Sequence, residues 1–440
     1  MLSLFALCVG RLFTDRLWMA SSKMELGENL RAAAEVGIVK EIARLLHLGA
    51  DIDAADLDGQ TALMKASEAG QVECVKVLLD RGAGINMWDK NRWTALMKAS
   101  ERGQVECVKV LLDRGAKVNL LCKDGWTALM KASEAGQVEC MKMLLDRGAE
   151  VNMQDKWGWS ALMKATKAGE VECVKLLLNA GVQVNVQNKW KETALMMAYD
   201  SGHIECEKML VDKGAQVNIQ GTDGQTALMK ASVAGQVQCM KMLLDEGAEV
   251  NLQDKDGYTA LMKASARGQV ECIKVLLDRG AEVNMQNKTP LPATYIMWMM
   301  HIQCMAKYGY NIQLYGGLGM RHSSPDGWTA LSMASAAGQV ECVKMLLDRG
   351  AEVNMQNKWG ETALMKASES GQEECIKVLL DGGAEVNMQN NWRETELLKA
   401  SQAGKMECVK LLLHGGVQVN VQNKDQRLTF EPPGYSITTG

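Results

Sequence analysis

The chain of 440 residues is poor in large rings and in chain breakers: it has three Phe, seven Tyr and five Pro. Ring packing therefore does not fill its interior, which is left to Leu, Val, Ala, Met and Cys. Histidine is also scarce. His47, His203, His301, His322 and His414 are too scattered to suggest a metal cluster. No run reaches the roughly 18 apolar residues that a membrane span needs. The formal net charge of −4 is near balance for this length, so bulk charge draws neither nucleic acid nor a membrane surface. There is no phosphate-cradling glycine loop and no nucleophile with its base, so neither a catalytic residue nor a cofactor is expected.

What the chain has in abundance is repetition. The stretch Thr61 to Ala83, TALMKASEAGQVECVKVLLDRGA, returns from Thr94 to Ala116 with one change, at Arg102. Looser copies begin at Thr127, Ser160, Thr193, Thr226, Thr259, Thr329, Thr362 and Thr395, and the step is 33 residues except once. A fixed period of this length marks a structural unit that cannot bury its apolar surface unaided. Within one unit, Thr61 is a good N-cap, 62–69 reads as a helix, and Gly70 stops it. The spacing predicts a second helix over 72–81, closed by Gly82 in the left-handed position. Glu73, Lys76 and Asp80 form one charged stripe, while the rest of that helix is apolar nearly all round and needs neighbours on several sides. From Ala83 to Trp93 the chain reads as a hairpin, marked in other copies by Asp124-Gly125 and Asp256-Gly257.

Helix, tight turn, helix and hairpin with this period resemble the ankyrin repeat. The family pattern stands here as DKDGYTALMKASARGQVECIKVLLDRGAEVN, from Asp254 to Asn284. The resemblance covers about residues 26 to 424. It departs where the family's Pro is Ala62 and its His is Met64, Met97 or Met130, and where Gly-His between helices is mostly Gly-Gln. The fold it implies is all-α: an ankyrin-repeat solenoid of about twelve units, a curved, elongated stack, monomeric. The function it implies is a protein-binding scaffold or adaptor without catalysis.

Residues 1–25 fall outside the period and read as a leader. A capping unit and seven regular units occupy 26–288, three more units occupy 326–424, and 425–440 reads as a disordered tail. Between the blocks, 289–325 is an irregular degraded repeat or an insertion. Weaker coupling between the blocks on either side of it is expected, because one-dimensional stacks lose cooperativity at a poor interface. Ten of the thirteen Cys hold one position of the second helix, from Cys74 to Cys408. Packed helices lie about 8–10 Å apart and disulfide Cα atoms within about 7 Å, so this series reads as buried hydrophobes of a reducing, cytoplasmic or nuclear compartment. Cys122 stands in a hairpin where most copies carry Asp or Asn, which points to exposure.

Two series are candidate contacts for a protein or peptide. Hairpin rings stand one residue before the cap at Trp93, Trp126, Trp159, Tyr258 and Trp328, and three before it at Trp157, Trp190, Trp359 and Trp392. Positions two apart on an extended segment point to one side, and Trp is enriched among binding hot spots. The first helices add Lys65, Lys98, Lys131, Lys164, Lys230, Lys263, Lys366 and Lys399, partly neutralised by Glu68, Glu101, Glu134 and Glu369. Together the rows suggest a groove for an acidic, partly apolar peptide, although a salt-bridged face and ring-on-ring packing explain the same residues. Single-stranded nucleic acid or an acidic polymer is the alternative ligand, and the cytoplasmic part of a larger signalling protein the alternative context.

Overall fold

A computed structural model describes residues 23–287 and 327–418. The chain divides into two compact units, Met1–Ala215 and Gln216–Gly440. The leader, the C-terminal tail and the interior of 289–325 lie outside the described residues, apart from residues 23–25. These are helical and open a run over 23–36, so the first helix begins no later than residue 23.

In the first unit, that helix and Val39–His47 form the divergent opening pair. Ala62–Glu68 with Val72–Asp80 and Ala95–Glu101 with Val105–Asp113 follow at the expected places. Three further pairs run to Ala194–Ser201 and Ile204–Asp212, each first helix against the next first helix and each second against the next second. The second unit repeats this from Ala227–Ala234 and Val237–Asp245 to Glu396–Gln402 and Met406–His414. It is a solenoid: each pair completes the interior of its neighbour. Leu63, Ala66, Cys74, Val75 and Leu78 are all buried, and burying one such aliphatic side chain is worth about 1.5–3 kcal/mol.

Capping follows the sequence. The Thr61 hydroxyl accepts from the Met64 N–H, and the Ser160 hydroxyl does the same from Met163. Thr395 makes no such bond. The methionines at the family's histidine position, Met64, Met97 and Met130 among them, are buried core. The Gln that replaces the family's second His ties repeats together: the Gln104 amide donates to the Glu68 carbonyl at 3.4 Å and Gln137 to Glu101 at 3.4 Å.

The repeats on either side of the interruption are joined directly. The helix pair ending at Asp278 packs directly on the pair beginning at Ala330. Arg349 pairs with Asp278 at 2.8 Å, and the Glu352 N–H donates to the Asn284 side-chain oxygen at 2.9 Å. The hairpin closes across the gap, the Asn287 N–H donating to the Trp328 carbonyl and the Gly327 N–H to the Asn287 carbonyl, both at 3.1 Å. Residues 287 and 327–328 thus belong to one hairpin, and the bonds that join other neighbours re-form there because Asn287 still caps the turn.

Candidate protein-binding surface

Most hairpins are built on one Asx residue, with Cys122 and Gly221 in its place in two copies. The Asp89 carboxylate accepts the N–H groups of Asn91 and Trp93, both at 2.9 Å, and Asp155 and Asn357 do the same in their copies. Successive hairpins are then stitched edge to edge, Lys90 N–H to the Asp58 carbonyl at 2.8 Å and Lys123 N–H to the Asn91 carbonyl at 2.8 Å. Asparagines further along tie the loops across repeats: the Asn119 side chain accepts from the Glu150 N–H and donates to the Gly148 carbonyl.

The ring-bearing segment is not extended. Gly158, Lys191, Gly360 and Arg393 are left-handed between the two ring positions, with φ from 57° to 82°, so the chain turns there and the two ring series separate. The outer rings Trp157, Trp190 and Trp392 are 40–46 % exposed, and Trp359 is half-buried. The inner rings Trp93, Trp126 and Trp159 are half-buried, and Tyr258 and Trp328 are buried.

The inner rings and the first-helix lysines interlock. The Lys131 ammonium lies 3.9 Å from the Trp93 ring centre and 4.0 Å from that of Trp126. Lys164 lies 3.5 Å from Trp126 and 4.8 Å from Trp159. Every ring thus meets an ammonium from its own repeat or the next, an attraction of about 0.5–2 kcal/mol according to its desolvation. Carboxylates hold the same lysines from beneath. Lys98 meets Glu68 and Asp89, both at 3.5 Å, Lys131 meets Glu101 at 3.3 Å, Lys164 meets Asp155 at 3.6 Å, and Lys263 meets Asp254 at 2.7 Å.

At Asn357 and Asn390 the capping residue is neutral, and the carboxylate stands four residues on. Glu361 then meets Lys366 at 2.7 Å and Lys399 at 3.1 Å, with Glu394 at 3.4 Å from Lys399. Burial pushes the Glu361 carboxyl up, but Lys366 and Lys399 outweigh it and hold it below the usual carboxylate range. Burial also pulls Lys164 below the ordinary lysine value, against the attraction of Glu134 and Asp155. Lys65 and Lys230 are half-buried on the same row.

Cys122 corrects an expectation: it is buried, and its sulfur accepts the Trp126 N–H at 3.4 Å, because it occupies the Asx capping site. The second-helix thiols are buried, and burial first of all pushes them up, to about 11 for Cys107 and about 12 for Cys173. Two features escaped the reading of the sequence. Trp88, on the arm of a hairpin, is 54 % exposed with the Arg92 guanidinium 4.8 Å from its ring. In six copies the residue after the capping position is an exposed lysine, at 90, 123, 156, 189, 255 and 358, a period visible in the sequence but overshadowed by the tryptophans.

Among the described residues, no helix is long and apolar enough to cross a membrane, and no cluster of His, Cys, Asp and Glu could hold a metal ion. No curated protein matches the chain. A family model of ankyrin repeats in three copies matches residues 30–122, 89–155, 147–221, 216–287 and 303–390, and a single ankyrin repeat matches 393–424. The chain therefore belongs to the ankyrin repeat family, whose repeats serve in general as protein–protein interaction modules.

Proposed function

We propose that the protein is a non-catalytic scaffold that captures a protein partner through its hairpin tips and the adjoining face of the first helices. The observation that carries this is the exposure of Trp157, Trp190 and Trp392 at turns whose backbones are locked by Asx caps. A rigid indole held in water loses little entropy on burial against a partner and gains apolar contact. The inner Trp and Lys rows border these rings and set their platform. Single-stranded nucleic acid ranks second, because ammonium groups already lie over the inner ring faces on which bases would stack. The thiol series supports a reducing compartment as the setting, since the described cysteines are buried thiols rather than disulfides.

The test is capture of partners by the immobilised full-length protein, followed by repetition with each identified partner purified. The double variant Trp157→Ala/Trp190→Ala, shown to be folded by circular dichroism, is expected to lose a partner that the parent retains. Undiminished binding of every partner by that folded variant, and by Trp359→Ala/Trp392→Ala, would sink the proposal.

A further inference from the structure

We propose that the hairpin tips of the first unit form a basic ridge for an extended, acidic segment of the partner protein. This rests on the protein-binding reading above and specifies the partner's chemistry. Lys90, Lys123, Lys156 and Lys189 stand at successive tips, exposed and without an ion-pair partner among the described residues. They differ in this from Lys98, Lys131 and Lys164 on the first helices, whose charge is met from beneath by Asp or Glu. Their register is fixed, because each donates its backbone N–H to a carbonyl of the hairpin before it, at 2.8–3.0 Å.

Two further cations stand where the fold favours glycine. A Cβ built on Gly59 or Gly125 would lie 2.9 Å from the backbone nitrogen of the next hairpin, and both glycines are left-handed. Arg92 and Lys191 hold that same position with φ of 60° and 57°. Strained backbone concentrates where a side chain is needed for function, and both side chains are exposed beside indoles, Trp88 and Trp190.

From Asp89 to Glu192, the four tips thus present six exposed cations, and the exposed carboxylate among them is Asp124. This contrasts with a net charge of −4 for the chain. Asp58, exposed on the hairpin before, ends the row.

The spacing selects the ligand. Stacked helices repeat at about 8–10 Å, and an extended peptide advances about 3.3 Å per residue. Carboxylates three residues apart therefore meet successive tip lysines, while the residues between can lie on Trp157 and Trp190. Asp124 in the middle of the row repels a continuous polyanion, whereas a peptide can place an uncharged residue there.

The experiment measures fluorescence anisotropy of a fluorescein-labelled peptide of repeated Glu-Ser-Leu triplets, titrated with the full chain. Saturable binding is expected, with none for the matching Lys-Ser-Leu peptide. The folded variant Lys90→Glu/Lys123→Glu/Lys156→Glu/Lys189→Glu should bind at least about tenfold more weakly, as loss of several exposed charge contacts implies. The milder Lys→Gln set should fall between the two and guards against misfolding. Equal binding by either variant set, absence of binding by the parent, or tighter binding of labelled oligo-dT than of the acidic peptide would overturn the inference. A purified partner lost by Trp157→Ala/Trp190→Ala yet indifferent to the lysine changes would overturn the acidic ridge and leave the scaffold reading standing. Indifference of every partner to the lysine changes and to both tryptophan double variants would remove the scaffold reading as well.

Discussion

The hairpins around Asp155 and Asn357 solve one problem in two ways. In the first, the Asx cap is itself the anion: Asp155 accepts two backbone N–H groups and also faces Lys164, which leaves the fourth residue on free to be an indole, Trp159. In the second, the cap is neutral Asn357, and the anion is the fourth residue on, Glu361, held by the Asn357 amide at 3.0 Å and by two lysines. Asp89 with Trp93 and Asp254 with Tyr258 follow the first pattern, and Asn390 with Glu394 follows the second. What these five hairpins hold constant is a carboxylate against a first-helix lysine, not one residue at each position. A buried ammonium without a counter-charge costs several kcal/mol, so the charge persists while its carrier changes.

The largest effect should come from the shared carboxylate. Glu361→Gln leaves Lys366 and Lys399 facing an amide, with Glu369 and Glu394 as remaining partners. We expect a local loss of about 2–4 kcal/mol, read as faster hydrogen exchange across Ala363–Ser370. An unchanged exchange rate would show that the second pattern is dispensable.

Asp155→Asn should cost less, about 1–2 kcal/mol, because the amide oxygen can still cap the turn and only Lys164 loses its anion. Adding Trp159→Glu rebuilds the second pattern at this site and is expected to restore much of the loss in urea denaturation. If the double variant is no better than the sum of its parts, the two hairpins are not equivalent solutions.

The period, the caps and the helix pairs were legible in the sequence because each is local: Thr61 bonds three residues ahead, and Gly82 closes its own helix. The interlocking of Lys131 between Trp93 and Trp126 was not, since it depends on where one repeat comes to rest on the next. The Asp-to-Glu exchange was present in the letters but has meaning only once residues 357, 361, 366 and 399 meet in space. The joint across the interruption was hidden for a related reason. The composition of the interruption breaks the pattern, yet the bonds that rejoin the hairpin belong to Asn287 and Trp328 on its two sides.

Acid should separate two neighbouring carboxylates of the second unit. Glu361 sits below its ordinary value: burial raises it, but its lysines prevail. Its stabilisation is therefore present above about pH 4.3 and is lost as pH falls through the lowered folded value. Glu396 is raised, by burial first, against the Asn387 N–H bond that lowers it. It penalises the folded state above its raised value, and that penalty is relieved on acidification. Between about pH 5 and pH 3, protection of Ala363–Ser370 relative to Glu396–Gln402 should fall. A constant ratio would mean that the lysines do not hold Glu361.

The smallest effect tests whether the tips differ in purpose from the layer beneath them. Arg92→Gly removes a left-handed non-glycine residue with φ of 60°, and relief of that conformation is worth about 0.5–1 kcal/mol. It also removes the contact of the guanidinium with Trp88 at 4.8 Å, an exposed pair worth about 0.5 kcal/mol. The net expectation is a chain as stable as the parent or slightly more so, measured by the urea midpoint, that binds the acidic peptide less well. No buried lysine can give that combination, since neutralising its carboxylate lowers stability. A drop in stability on Arg92→Gly would place the tip cations with the structural layer, and the contrast between tips and interior would fail.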